Sequence, residues 1–236
     1  MKYIISFLLI ISVANSVYAT PPKGDYVVIL HGIARSSSHM KPLAEKLEKE
    51  GYDVINLDYP STKHTLRELT TSISNDLASR LTENKPVHFI GYSMGGLLVR
   101  AILAKHKPEK LGRVIQLAPP NHGSDVSDFL KDNWLYKTIF GPAGQELTTE
   151  NEDTEKLMGH VDYALGVVAG NSTIDPFSSY IIGGDDDGKV SILSTKVQGM
   201  KDHVVVSASH TFFPSNDDVQ QQTLSFLKNG KFNHEN

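Results

Sequence analysis

A serine hydroxyl attacks a carbonyl carbon only when a base takes its proton, and the base works best when a carboxylate orients it. This chain of 236 residues carries candidates for all three parts in the order serine, carboxylate, histidine. Ser93 is the centre of Gly91-Tyr92-Ser93-Met94-Gly95. The apolar run Val87-His88-Phe89-Ile90 precedes it, and Gly96-Leu97-Leu98-Val99-Arg100 follows. A Gly-x-Ser-x-Gly pattern between a strand and a helix is a nucleophile elbow, a strained turn that lifts the hydroxyl clear of a sheet edge. Glycine suits positions 91 and 95 because a Cβ there would crowd the neighbouring strand and helix.

His210 is the candidate base. It follows the apolar strand Val204-Val205-Val206 and precedes Thr211-Phe212-Phe213-Pro214, which places it in a carboxyl-end loop, as Ser93 is. His203 competes, but it starts the same strand and so belongs at the opposite sheet edge. His88 lies inside the elbow strand, and His31 is expected to brace its own loop. Asp187 leads as the acid, in the loop closed by Gly188, with Asp185 and Asp186 beside it as alternatives. A solvated acidic turn is the plainer reading of that triplet. An oxyanion intermediate needs two backbone N–H donors. Met94, the residue after the nucleophile, supplies one at a helix N-terminus, and Ile33 in His31-Gly32-Ile33 is expected to supply the other.

These parts need a parallel sheet to hold them. Tyr26–Leu30 is a continuous apolar, β-branched run, as in a strand buried on both faces. A helix over about 39–50 follows, with Leu43 and Leu47 at helical spacing and Gly51 as its stop. Strand 54–59, helix 66–81, the elbow strand and its helix to about 106, and strand 113–118 continue the alternation. Strict alternation of strand and helix implies parallel strands with right-handed crossovers. The pattern breaks at Pro119-Pro120-Asn121-His122-Gly123, and residues 123–165 read as an irregular, lid-like insert. Phe129, Trp134, Tyr136 and Phe140 cluster there as candidate walls of a substrate pocket; packing of the insert onto the domain is the alternative. Strands at 166–171 and 203–207 and a helix at 219–227 close the chain. The expected fold is one α/β domain over 20–236, with a mostly parallel sheet and helices on both faces.

Composition narrows the function. The formal net charge is −4, so no basic field recruits nucleic acid. There is no cysteine, which excludes disulfides, a thiol nucleophile and thiolate metal sites. No cofactor or metal is expected, and the expected state is a monomer. Lys2, the apolar run over 3–14 and the small-residue end at Ala19 have the layout of a secretory signal peptide over 1–19, cleaved after Ala19. Export to the periplasm or the medium follows from that reading; an uncleaved membrane anchor is its alternative.

His31-Gly32, Gly91-Tyr92-Ser93-Met94-Gly95-Gly96, Pro120-Asn121-His122-Gly123-Ser124, Asp187-Gly188-Lys189-Val190 and His210 together resemble the α/β-hydrolase superfamily, and within it the bacterial triacylglycerol lipases and esterases. The chain order Ser, Asp, His is theirs. The Asp-Gly-x-Val followed by His resembles the Pseudomonas-type lipases, and the short start resembles the small Bacillus lipases. Pseudomonas-type enzymes carry a disulfide and a calcium site; this chain lacks cysteine and does not match the calcium ligands, so neither carries over. The resemblance implies a carboxylic ester hydrolase working through an acyl-enzyme on Ser93. The expected partner is a small-molecule ester or lipid, with transient contact to a membrane or micelle. An acyltransferase or amidase on the same scaffold is the alternative, and a non-catalytic binding module is a third reading. Haloalkane dehalogenation is disfavoured, because it needs a carboxylate where Ser93 stands.

Overall fold

β1 (Tyr26–Leu30) is buried at every residue, and its sequence explains why. Val27 and Ile29 point to one face and Val28 and Leu30 to the other, and none of the four is exposed to solvent. A strand with two apolar faces needs cover on both sides. The computed structural model describes residues 24–234, and in these residues the cover comes from helices on either face.

From β1 the chain passes through α1 (Ser37–Lys49), β2 (Asp53–Leu57), α2 (Leu66–Arg80), β3 (Val87–Tyr92), α3 (Met94–Lys105) and β4 (Leu111–Leu117). The connection from β4 to β5 (Leu165–Gly170) holds α4 (Asp125–Leu130), α5 (Trp134–Gln145) and α6 (Glu152–Met158). The connection from β5 to β6 (Asp202–Val206) holds α7 (Pro176–Ile182) and α8 (Ile192–Thr195). A 3₁₀ turn over His210–Ser215 then leads to α9 (Asp217–Asn229). The six strands pair in the order β2-β1-β3-β4-β5-β6, all parallel. α1 and α9 pack on one face, and α2, α3 and α6 on the other.

The strand order sets the place of the site. The chain moves outward from β1 to β2, then returns past β1 to β3 and builds away on the other side. The connections therefore leave β1 and β3 in opposite directions and open a crevice between their carboxyl ends, where α/β sheets bind ligands. Gly32–Ile33 leaves β1 at that crevice, and Ser93 leaves β3.

The expectations for the alternating half agree with the structure to within a few residues at element ends. The region 123–165 differs. It is not irregular but holds three helices, two of them capped by residues present in the sequence. Asn133 accepts from the Leu135 and Tyr136 amides at the start of α5, and Asn151 accepts from Thr154 N at the start of α6. α5 breaks at Gly141, whose φ is +60° and where a Cβ would stand 1.7 Å from the Thr62 carbonyl oxygen. α6 is an ordinary core helix, with Thr154 and Met158 buried and its face on α3. α7 begins with Pro176 at its first turn and Asp175 accepting from Ser178 N, another start signal present in the sequence. The proposed signal peptide over 1–19 lies outside the described residues.

Candidate active site

β3 ends in the turn that carries Ser93. Its φ of 53° and ψ of −125° lie where non-glycine residues are rarely found, and the surrounding packing holds the strain. The first turn of α3 lies hard against β1: a Cβ on Gly95 would stand 2.4 Å from the Leu30 carbonyl oxygen. That contact fixes the angle at which the helix leaves the strand. Ser93 is only 7% exposed.

β6 and its following 3₁₀ turn carry His210 to the same place. His210 Nε2 lies 3.1 Å from Ser93 Oγ, and His210 Nδ1 lies 2.6 Å from Asp187 Oδ2. An ionised Asp187 accepts from Nδ1–H, which leaves Nε2 free to accept the Ser93 hydroxyl proton. Asp187 Oδ1 accepts from the Lys189 and Val190 amides at 3.0 and 2.9 Å, so the carboxylate is held by backbone as well as by the imidazole. The two loops are also tied through the main chain, His210 N donating to Asp187 O at 2.8 Å. Of the three neighbouring aspartates, only Asp187 reaches the imidazole. Asp186 is buried and accepts from Ser179 Oγ and Gly188 N, and Asp185 is exposed. His203 is at the start of β6, bonded to Thr195 Oγ1 at 3.0 Å.

The loop after β1 passes beside the nucleophile. A Cβ on Gly32 would stand 3.2 Å from Ser93 Cβ. Among the described residues, the backbone N–H groups of Ile33 and Met94 have no hydrogen-bond partner. Met94 N–H is one of the donors that a helix start leaves free. His31 braces this loop, as expected from sequence: its Nδ1 bonds Gly32 O at 2.8 Å and its ring stacks on Tyr59 at 4.0 Å. Ser61 adds a brace that sequence reasoning missed, its hydroxyl accepting from Ala34 N at 3.1 Å. Burial lowers the pKa of His31, which keeps it neutral.

The aromatic residues of the insert divide. Tyr136 is buried within the insert, its hydroxyl bonding Ser127 Oγ and Gly144 O. Phe140 is half-buried with its ring centroid 4.7 Å from that of Tyr136, next to Gly144, which faces the Ile33 side chain. Phe129 and Trp134 face outward. The insert is stitched to the domain at α2, where Glu146 Oε2 accepts from Leu66 N at 2.6 Å. Two further residues were not singled out from sequence. Tyr92 donates to the His210 carbonyl, and Arg100 binds Asn121 Oδ1 and the Gly159 carbonyl, tying α3 to the β4 loop and to the end of α6. No group of acidic, histidine or cysteine side chains among the described residues is arranged to hold a metal ion.

Comparison with known proteins gives two kinds of likeness. The chain is 30% identical to the lysosomal thioesterase PPT2 of Rattus norvegicus over 149 residues, which is 56% of this chain and 49% of that protein. It is 23% identical to palmitoyl-protein thioesterase 3 of Dictyostelium discoideum over 147 residues, 59% of this chain and 50% of that one. The chain thus spans about half the length of the curated relatives it matches. Among solved structures, the mature Bacillus licheniformis lipase BlEst2 superposes with a TM-score of 0.64 at 21% identity, covering 87% of this chain and 90% of that one. The metagenomic carboxyl esterase MGS0156 gives a TM-score of 0.64 at 18% identity, covering 79% and 64%. At these identities the structural likeness concerns the fold. The family model of the alpha/beta hydrolase fold matches residues 25–149, from β1 through the serine turn and beyond β4, and the chain belongs to that family.

Proposed function

We propose that this chain is a serine hydrolase of acyl esters. The observation that carries the reading is the unbroken series Ser93 Oγ, His210, Asp187 at 3.1 and 2.6 Å on a strained turn at the sheet's crevice. In this reading His210 Nε2 takes the Ser93 proton as Oγ adds to the substrate carbonyl carbon. Asp187 stays ionised and stabilises the imidazolium. The oxyanion is met by the amides of Met94 and Ile33, each such donor typically contributing about 3 kcal/mol to the transition state. Collapse breaks the ester bond, the leaving alkoxide takes the proton from His210, and an acyl-Ser93 ester remains. Water then loses a proton to His210 as its oxygen adds to the acyl carbon, the bond from that carbon to Ser93 Oγ breaks, and His210 returns the proton to Oγ as the acid leaves.

A thioester substrate is the second reading, favoured by the 30% identity to the lysosomal thioesterase PPT2 of Rattus norvegicus. The same steps serve it, with a thiolate leaving instead of an alkoxide.

The test is turnover of p-nitrophenyl esters and of acyl thioesters of matched chain length by the wild type and by Ser93→Ala. Loss of both activities in the variant is the expected result, and the ratio of the two in the wild type decides between ester and thioester. Wild-type turnover by Ser93→Ala overturns the reading.

A further inference from the structure

The large apolar side chains left exposed in the described residues are not scattered. All but Val205 lie in the connections that leave the carboxyl ends of β4, β5 and β6. The β4–β5 connection presents Phe129 and Trp134, the latter 74% exposed. The β5–β6 connection presents Ile174, Phe177 and Tyr180, the last 86% exposed, at a spacing of three along and just before α7. The two groups meet, because α4 packs on α7 and the Phe129 and Phe177 rings sit edge to face at 6.1 Å. Phe212 extends the same edge two residues beyond His210.

A soluble surface rarely concentrates this much apolar area at one place without an occupant. The position of the patch selects among occupants. It belongs to the connections that carry Asp187 and His210 and to the insert that abuts Ile33, so it lies at the same carboxyl edge of the sheet as Ser93. A protein seated there would cover the nucleophile. A lipid surface can cover the patch and still deliver an acyl group to it. The charges agree with a neutral surface. α7 has no charged residue, and the segment from Asp125 to Gln145 sets Lys131 and Lys137 against Asp125, Asp128 and Asp132, a net of −1 with no basic excess to draw an anionic surface. Exposed Trp and Tyr at one edge are also the side chains that settle at a membrane–water interface.

We propose that the carboxyl edge of the sheet, through α5 and α7, docks on a neutral zwitterionic lipid surface, and that the acyl group reaching Ser93 is drawn from that surface. The second half rests on the hydrolase reading; the first does not.

The chain contains a single tryptophan, Trp134, which makes its fluorescence a reporter for the patch. The binding experiment uses Ser93→Ala protein and phosphatidylcholine vesicles. The expected result is a blue shift of Trp134 emission, quenching by lipids brominated in the acyl chain, and no weakening on adding salt. The double variant Phe177→Ser with Tyr180→Ser is expected to lower vesicle partitioning about tenfold or more, by loss of buried aromatic area. With wild-type Ser93, the same double variant is expected to keep its rate on a short soluble ester and to lose rate on an ester held in the vesicle. Four results overturn the proposal: no emission shift with vesicles, binding confined to anionic vesicles and abolished by salt, unchanged partitioning of the double variant, or a shift of Trp134 with protein concentration in the absence of lipid. Vesicle binding with no turnover of either ester upholds the docking and overturns the acyl half.

Discussion

Tyr92 and His210 are joined although they stand 118 residues apart: the phenol donates to the His210 carbonyl at 2.7 Å, and the two rings lie 5.1 Å apart. Tyr92 is the variable residue of the Gly-x-Ser turn. The turn that carries the proposed nucleophile therefore also holds the backbone of the proposed base. Burial pushes the Tyr92 phenol far above its ordinary pKa, so it remains a donor throughout the working pH range.

Tyr92→Phe removes that donor and leaves the ring packing intact. The expected stability loss is about 1 kcal/mol, the net worth of one buried hydrogen bond. The expected effect on kcat is larger, a fall of about tenfold or more with KM for a short soluble ester unchanged, because small misplacement of a catalytic group is costly. Steady-state kinetics and urea unfolding on the same preparation separate the two effects. An unchanged kcat removes any positioning role for Tyr92.

Asp187 and Asp186 should part company on mutation. Asp187→Asn keeps the size of the side chain but favours the wrong imidazole tautomer, and a fall in kcat of about 10³ to 10⁴ is expected. Asp186→Asn disturbs the bonds to Ser179 Oγ and Gly188 N and should mainly cost stability, about 1 to 2 kcal/mol, with kcat within tenfold of wild type. Equal kinetic losses in the two variants would count against the assignment of the acid.

Much of this site could be read before any coordinates. Ser93, His210 and the alternating half of the fold were legible because strand-turn-helix signals are local: β1 is a five-residue apolar run, and α2 has a single apolar stripe. Asp187 was harder, since three adjacent aspartates have the same local context and only the Lys189 and Val190 amides decide which one faces the imidazole. The helices of 123–165 were hidden for a different reason. They are short and bury different faces against different neighbours, Tyr136 inside the insert and Met158 against α3, so no single stripe repeats. The braces from Tyr92 and Ser61 depend on contacts between segments far apart in sequence, which a pattern read along the chain does not contain.

Two glycines bracket what the fold tolerates. In Gly95→Ala the new methyl would meet the Leu30 carbonyl oxygen at 2.4 Å, a backbone atom of the interior strand β1 that is not free to yield. A loss of at least about 2 to 3 kcal/mol is expected, or failure to accumulate as folded protein. Gly184→Ala meets nothing within 4 Å and has no positive φ, so it should change stability by less than about 0.5 kcal/mol. Thermal unfolding of both variants checks the pair, and a folded Gly95→Ala of wild-type stability would contradict the packing of α3 on β1.

His39 makes stability fall on acidification. It sits on α1 with its ring 5.3 Å from that of Tyr92, and its pKa is lowered to about 4, first by burial and then by the charge of Arg35 and the nearby His210 and His31. In the unfolded chain it titrates near 6.5. Between these values the unfolded state binds more protons than the folded state, so the free energy of unfolding rises with pH. The contribution is complete above about pH 6.5 and is lost as pH falls toward about 4. His31, His88 and His203 are lowered in the same direction by burial and act in the same sense, so removing one imidazole reduces the acid slope without abolishing it. The expected outcome for His39→Gln is a smaller loss of urea midpoint between pH 7 and pH 4.5 than in the wild type, by less than one proton's worth of linkage. A variant with the wild-type acid slope would show that His39 is protonated in the folded state as readily as in the unfolded one.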